Sequence, residues 1–298
     1  MTASASASPS TSHRAFQAAL LLLWAAGLGA IAYFAFVGAD YYATPVGLRA
    51  RHPGYWTLKP GGSWGLRFGV AGLLLMTVMH AYSIRKRLAP LRRLGRLRAW
   101  LDLHILCGVI GPLFIVLHSS LKIGGLIAIS FWSMVAVAVS GIFGRYLYLQ
   151  IPRTRAGEEI TLADAQRRLA ELHQRLRKEG GADDAFLARL ESAAAPPASA
   201  GLFAVLGSVL AWDLDPRRRA RVRVLARSLP DVPAHLARDV EEAVAEAALL
   251  RRRVQLWDAL HRLFHHWHVV HKPFAIVMYL FALVHVAVAT FTGYGLRW

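Results

Sequence analysis

Apolar runs alternate with short polar and basic stretches over the first half of this chain, and one more run follows a long mixed segment. The runs fall at about Ala15–Val37, Trp64–Tyr82, Trp100–Leu121, Leu126–Leu149 and Trp267–Thr292. Each approaches the ~20 residues that an α-helix needs to cross the hydrocarbon layer of a bilayer. The pattern predicts an all-α, polytopic transmembrane helical bundle with five spans. Ala15–Val37 is longer than the roughly 7–15-residue apolar core of a signal peptide, so it reads as an uncleaved signal anchor. The Ser/Ala/Thr-rich stretch before it, residues 1–13, reads as disordered.

The long interruption, residues 150–262, has a different texture. It holds 16 of the 18 acidic residues. Thr161 reads as a helix N-cap, and Gly180 and Gly181 as that helix's end. A Pro/Ala linker follows at Ala195–Gly201. Leu202–Trp212 is apolar but too short to span, so it lies at the membrane interface or packs on the bundle. Arg217–Arg227 is basic and suits lipid headgroups. Val232–Arg262 reads as one long helix. With no cysteine, no glycine loop and no dense apolar core, the segment reads as a helical docking element rather than a catalytic domain. Three regions result: 1–149 with helices one to four, 150–262 as a cytoplasmic helical insert, and 263–298 with the fifth helix and a short tail.

Charge then gives the chain an orientation. The net charge is +17, with Arg far outnumbering Lys. Basic loops beside apolar spans are what the positive-inside rule produces and what anionic lipid attracts, so the basicity points to membrane lipid and not to nucleic acid. Segments 83–99 and 150–262 carry most of the arginine and are expected to be cytoplasmic. The N-terminus is then cytoplasmic and the C-terminus periplasmic, in a bacterial inner membrane. The single cysteine, Cys107, excludes an intramolecular disulfide, a Cys-x-x-Cys-His haem attachment and a cysteine-held iron–sulfur cluster.

Histidines inside membrane spans are uncommon and are read as functional by default. The third span places His104 and His118 fourteen residues apart, and the fifth places His271 and His285 fourteen residues apart. Fourteen residues return to within ~40° of the same helix face after a rise of about 21 Å. One span separates these two helices, so they run parallel, and His104 is level with His271 and His118 with His285. Two stacked bis-histidine sites follow, each suited to a non-covalent haem b. Zinc needs ligands converging within a few Å, which this spacing denies. A proton relay leaves the level pairing unexplained. Lys122, Ser119, Ser120 and Lys272 lie beside the ligands as candidate propionate partners, although snorkelling explains the lysines equally well. Gly108 and Gly111 lie between the two histidines of the third span and admit either close helix packing or a haem. Pro112 is expected to kink that span. His80, His261, His265, His266 and His268 sit at span ends, as interfacial residues or as a proton or quinone site. His13, His52, His173 and His235 read as structural.

The pairs His104/His118 and His271/His285 resemble those of the transmembrane domain of ferric reductases and NADPH oxidases. The resemblance covers roughly residues 15–149 and 263–292, in topology and spacing. It implies two stacked haems ligated from spans three and five, and a basic cytoplasmic loop after span two. That family adds a sixth span and a flavin- and NADPH-binding domain; no glycine-rich nucleotide motif occurs here. Similar histidine spacing marks the cytochrome b of quinol–cytochrome c oxidoreductases. Two redox functions are therefore expected. One is electron transfer across the membrane with a redox partner subunit, whether flavoprotein, iron–sulfur protein or cytochrome. The other is a quinone-reactive cytochrome b anchor. A non-redox transporter or sensor is the third reading, and it predicts a colourless protein.

Overall fold

The computed structural model describes residues 11–153, 159–196, 201–229 and 232–293, with the side chains of residues 11–13, Arg92 and Arg219 excepted. The first ten residues, the side chain of His13, the middle of the Pro/Ala linker and the end of the C-terminal tail lie outside the described residues. Among the described residues the fold is all-α, with no strand. Five helical segments are long and apolar enough to cross a membrane: Arg14–Val37, Tyr55–Arg87, Leu97–Ser119, Ile127–Gln150 and Trp257–Phe291. The chain falls into two compact units, one of residues 1–141 and 271–298, the other of Ile142–Val270.

In the first unit, α1 (Thr11–Val37) leads through the short helices α2 (Ala39–Ala43) and α3 (Tyr55–Leu58) into α4 (Ser63–Val78) and α5 (Ala81–Arg87). The second apolar run is thus not one helix. It breaks between Val78 and Ala81, so the Met79 carbonyl lies outside both flanking helices. Next come α6 (Leu97–Ser119) and α7 (Ile127–Gln150). Pro112 stays inside a continuous α6, because a membrane helix tolerates the lost hydrogen bond.

α4 lies against α6 on glycines. A Cβ on Gly72 would meet the Ile115 side chain at 2.8 Å and the Gly111 carbonyl at 2.9 Å; one on Gly111 would meet Met76 at 2.9 Å. Small residues permit this approach where apolar solvent supplies little drive for helix association. The Lys59 carbonyl lies 1.9 Å from where a Gly65 Cβ would sit. The loop before α4 is tied to the end of α6 by Arg49, which is buried although no carboxylate among the described residues bonds it. Its guanidinium donates to the carbonyls of Thr44 (2.7 Å), Tyr42 (2.7 Å) and Ser120, and lies over the Tyr41 ring at 5.3 Å. A cation at carbonyls that end a helix also answers the negative end of its dipole.

The second unit contains α8 (Leu162–Gly180), α9 (Asp184–Ala194), α10 (Leu202–Leu214), α11 (Arg218–Arg227) and α12 (Ala237–Gln255), with the last turns of α7 and the first of α13 (Trp257–Phe291). Thr161 caps α8, accepting from the Asp164 N–H at 3.1 Å, and Gly181 ends it with φ +64°. The unit does have a dense apolar core, contrary to the sequence expectation. Ala165, Leu169, Leu172 and Leu176 of α8 meet Phe186 and Leu190 of α9 and Val240, Val244 and Ala247 of α12. Their i, i+4, i+7 spacing disperses them among charges, so no run betrays them. The long helix expected over Val232–Arg262 ends instead at Gln255, and Leu256 separates it from α13, which starts at Trp257.

His173 of α8 is half-buried, and its Nε2 finds no hydrogen-bond partner among the described residues. Burial holds its pKa below the ordinary 6.5; the carboxylate of Glu191 opposes this, and Arg251 and Arg177 reinforce it. The fold therefore favours the neutral ring. The stability this gives is full above about pH 6.5 and is lost as pH falls, because the unfolded chain takes up the proton more readily. Thermal unfolding between about pH 7.5 and 5.5 should show this loss. His173→Leu should flatten the dependence, and an unchanged slope would refute the assignment.

Candidate functional site

Of the four histidines singled out by spacing, His118 and His285 face each other. Their ring centroids are 6.2 Å apart and their planes 69° apart. A nitrogen–metal bond of about 2 Å on each side, plus the two ring radii, places trans imidazole centroids on one ion roughly 6 Å apart. The separation fits a single metal held between the two rings.

The depth of the other pair follows from contacts along the helices. Met76 of α4 lies beside Gly111 of α6, and its carbonyl accepts from the Tyr279 hydroxyl of α13 at 2.6 Å. Going from Gly111 to His118 on α6 thus accompanies going from Tyr279 to His285 on α13, so these helices run the same way. Ser130 of α7 donates to the Met278 carbonyl, while Ser140 meets His271, so α7 and α13 run oppositely. Equal offsets of fourteen residues put His104 and His271 about 21 Å nearer the other end of their helices. Met76, Met134 and Met278 form a buried cluster at the depth of Tyr279, between the two levels.

What the ring nitrogens bond separates these histidines from the others. His118 Nδ1 donates to the Gly65 carbonyl at 2.8 Å and His104 Nδ1 to the Met79 carbonyl at 2.9 Å, both on the neighbouring helical segment. His271 Nδ1 lies 2.7 Å from Ser140 Oγ. The same hydroxyl lies 3.0 Å from the Val137 carbonyl, and which partner receives its proton is set by the tautomer of the ring. The His118 and His104 rings thus carry their hydrogen on Nδ1 and keep Nε2 as the lone-pair nitrogen, the arrangement in which a metal-ligating imidazole is oriented from behind; His271 is held at Nδ1 by Ser140. His80, His261, His266 and His268 instead bond the carbonyl four residues back in the chain. His285 is exposed.

Space is set aside for these rings. A Cβ on Gly69 would lie 2.7 Å from His118 Nδ1, and one on Gly141 would just touch His271 Cε1 at 4.0 Å. Tyr82 lies beside His104 at 5.5 Å. Sequence reasoning missed Gly65 and Gly69, although their Gly-x-x-x-Gly spacing is the signal of a close helix contact. It missed Met79 and Ser140 as well.

The proposed propionate partners divide. Lys122 is exposed near the Tyr55 ring, at 5.8 Å, and Lys272 is exposed beside His271. Ser120 is fully buried and gives its hydroxyl to the Leu58 carbonyl, and Ser119 gives its own to the Val116 carbonyl. Those two hydroxyl protons are already engaged within the chain. Among the described residues no three His, Cys, Asp or Glu side chains converge, so the closed four-ligand set of a structural zinc site is not assembled there. No family model, no curated protein and no solved structure matches the chain.

Proposed function

We propose that this chain is a membrane-bound di-haem b-type cytochrome that transfers electrons across the bilayer, between a donor or partner subunit on the cytoplasmic side and an acceptor on the periplasmic side. The observation that carries it is the facing of His118 and His285 at 6.2 Å, repeated by spacing at His104 and His271. The donor set fits: neutral imidazoles suit iron, and three of the four are oriented through Nδ1. Bound haem b supplies one-electron redox chemistry at two depths.

In this reading His118 and His285 hold the site nearer the periplasm, and His104 and His271 the one nearer the cytoplasm. Gly65, Met79 and Ser140 fix the rings from behind, and Gly69 leaves room for His118. Lys122 and Lys272 provide cations for propionates at opposite ends. The resemblance to the ferric reductase and NADPH oxidase transmembrane domain supports the same arrangement. Segment 150–262 is read as the cytoplasmic docking element for a redox partner. The arginine of segments 83–99 and 150–262 supports an inside N-terminus and a periplasmic C-terminus in the bacterial inner membrane.

Purified protein should be coloured. A pyridine haemochrome assay should find two haems b per chain, and acid–acetone should extract both, as non-covalent attachment requires. A colourless protein, or a count of one, would overturn the proposal.

A further inference from the structure

α10 is too short to span, yet it is apolar on both faces. Val205 and Val209 point inward. They join a buried cluster with Leu147 and Ile151 at the end of α7 and Leu256, Leu260 and Leu263 around the start of α13. These partners sit at the ends of two helices long and apolar enough to cross the membrane. α10 is therefore fastened at the end of α7 and the start of α13. Its other face carries Phe203, Gly207, Leu210 and Leu214, at helical spacing, and Phe203 is 89% and Leu214 75% exposed.

The charge lies next to this stripe. Residues 201–229 contain six arginines against two aspartates. Tyr146 and Gln150 donate to Asp213, at 2.9 and 2.6 Å, and Arg218 pairs with it at 2.8 Å. Asp215 pairs with Arg221. On α11, Arg217, Arg221, Val224 and Arg227 are exposed along one side, while Val222, Leu225 and Ala226 pack on the unit's core. An apolar stripe leading into an arginine face is the composition of a helix that lies in the plane of an anionic membrane surface.

We infer that α10 and α11 form an in-plane membrane seat: the Phe203–Leu214 stripe enters the acyl boundary, and Arg217 and Arg227 meet anionic lipid phosphates. This rests on the membrane reading of the fold and is independent of the haem proposal. The charge excess commits the surface to anionic lipid rather than to a partner protein. The preference for anionic over zwitterionic lipid should fall about fivefold for each arginine removed, at about 1 kcal/mol each.

The test uses the full chain with Cys107→Ala, reconstituted in phosphatidylcholine with or without phosphatidylglycerol. Spin labels are placed singly at Phe203→Cys, at Leu214→Cys and, as a span reference, at Leu22→Cys. Labels at 203 and 214 should collide with dissolved oxygen as the Leu22 label does and be shielded from a water-soluble nickel chelate. Arg217→Gln/Arg227→Gln should expose them to nickel and remove the benefit of phosphatidylglycerol. Nickel access at 203 and 214 in the unsubstituted arginine background, with the Leu22 label shielded, would overturn the seat and leave the membrane reading standing. Shielding from both reagents would mean that protein covers the stripe, and would also overturn it. Nickel access at all three would defeat the membrane reading itself.

Discussion

Replacing His118 with alanine is expected to remove one of two haems and leave the second with an intact low-spin, bis-imidazole spectrum. His285→Ala should remove the same haem, because the two rings face each other at 6.2 Å and one cannot complete an axial pair without the other. His104→Ala and His271→Ala should each remove the other haem. An imidazole cannot serve an iron some 21 Å away along its helix, so the losses should group by depth and not by helix. Pyridine haemochrome counts and low-temperature spectra on the four single variants decide the matter. If His118→Ala and His271→Ala removed the same haem, the level pairing would be wrong. If His271→Ala left both haems in place, His268 would replace it as ligand.

Gly69→Ala should mimic His118→Ala without touching a ligand. The added Cβ would fall 2.7 Å from His118 Nδ1, and that nitrogen is held by the Gly65 carbonyl. The ring must leave its hydrogen bond or α4 must withdraw from α6. Overpacking of this kind costs about 1–3 kcal/mol. Gly108→Ala is the control. It adds the same methyl in the same bundle, but its nearest neighbour is the Met79 sulfur at 3.9 Å, an ordinary contact. The expected result is one haem lost or high-spin for Gly69→Ala, and two retained for Gly108→Ala. Equal behaviour of the two variants would show that Gly69 reserves no room for the ring.

The five apolar segments were legible because a bilayer demands a long uncharged run, and such runs stand out in any sequence. The histidine spacing was legible because helical rise and twist are fixed. Partners on other helices were not. Nothing local to Met79 announces that its carbonyl falls in a break between α4 and α5 and accepts a hydrogen bond from His104. Ser140 looks like any serine in a span until His271 is seen beside it. The core of α8, α9 and α12 was overlooked because its leucines and alanines are spread among arginines and glutamates, and only their periodicity carries the information. The Leu256 break was hidden because helix-forming residues continue across it.

Arg49 bears on how this protein opens. One guanidinium holds carbonyls at positions 42, 44 and 120, the last only two residues beyond His118. The end of α6 therefore cannot fray without also releasing the loop that leads from α1 to α4. In amide hydrogen exchange such coupled segments behave as one cooperative unit, with a shared opening free energy. Protection around Tyr42–Arg49 and Leu117–Ser120 should then rise and fall together, although more than sixty residues separate them in sequence. His118, the proposed haem ligand, sits on a stretch of backbone that must open as a block or stay closed.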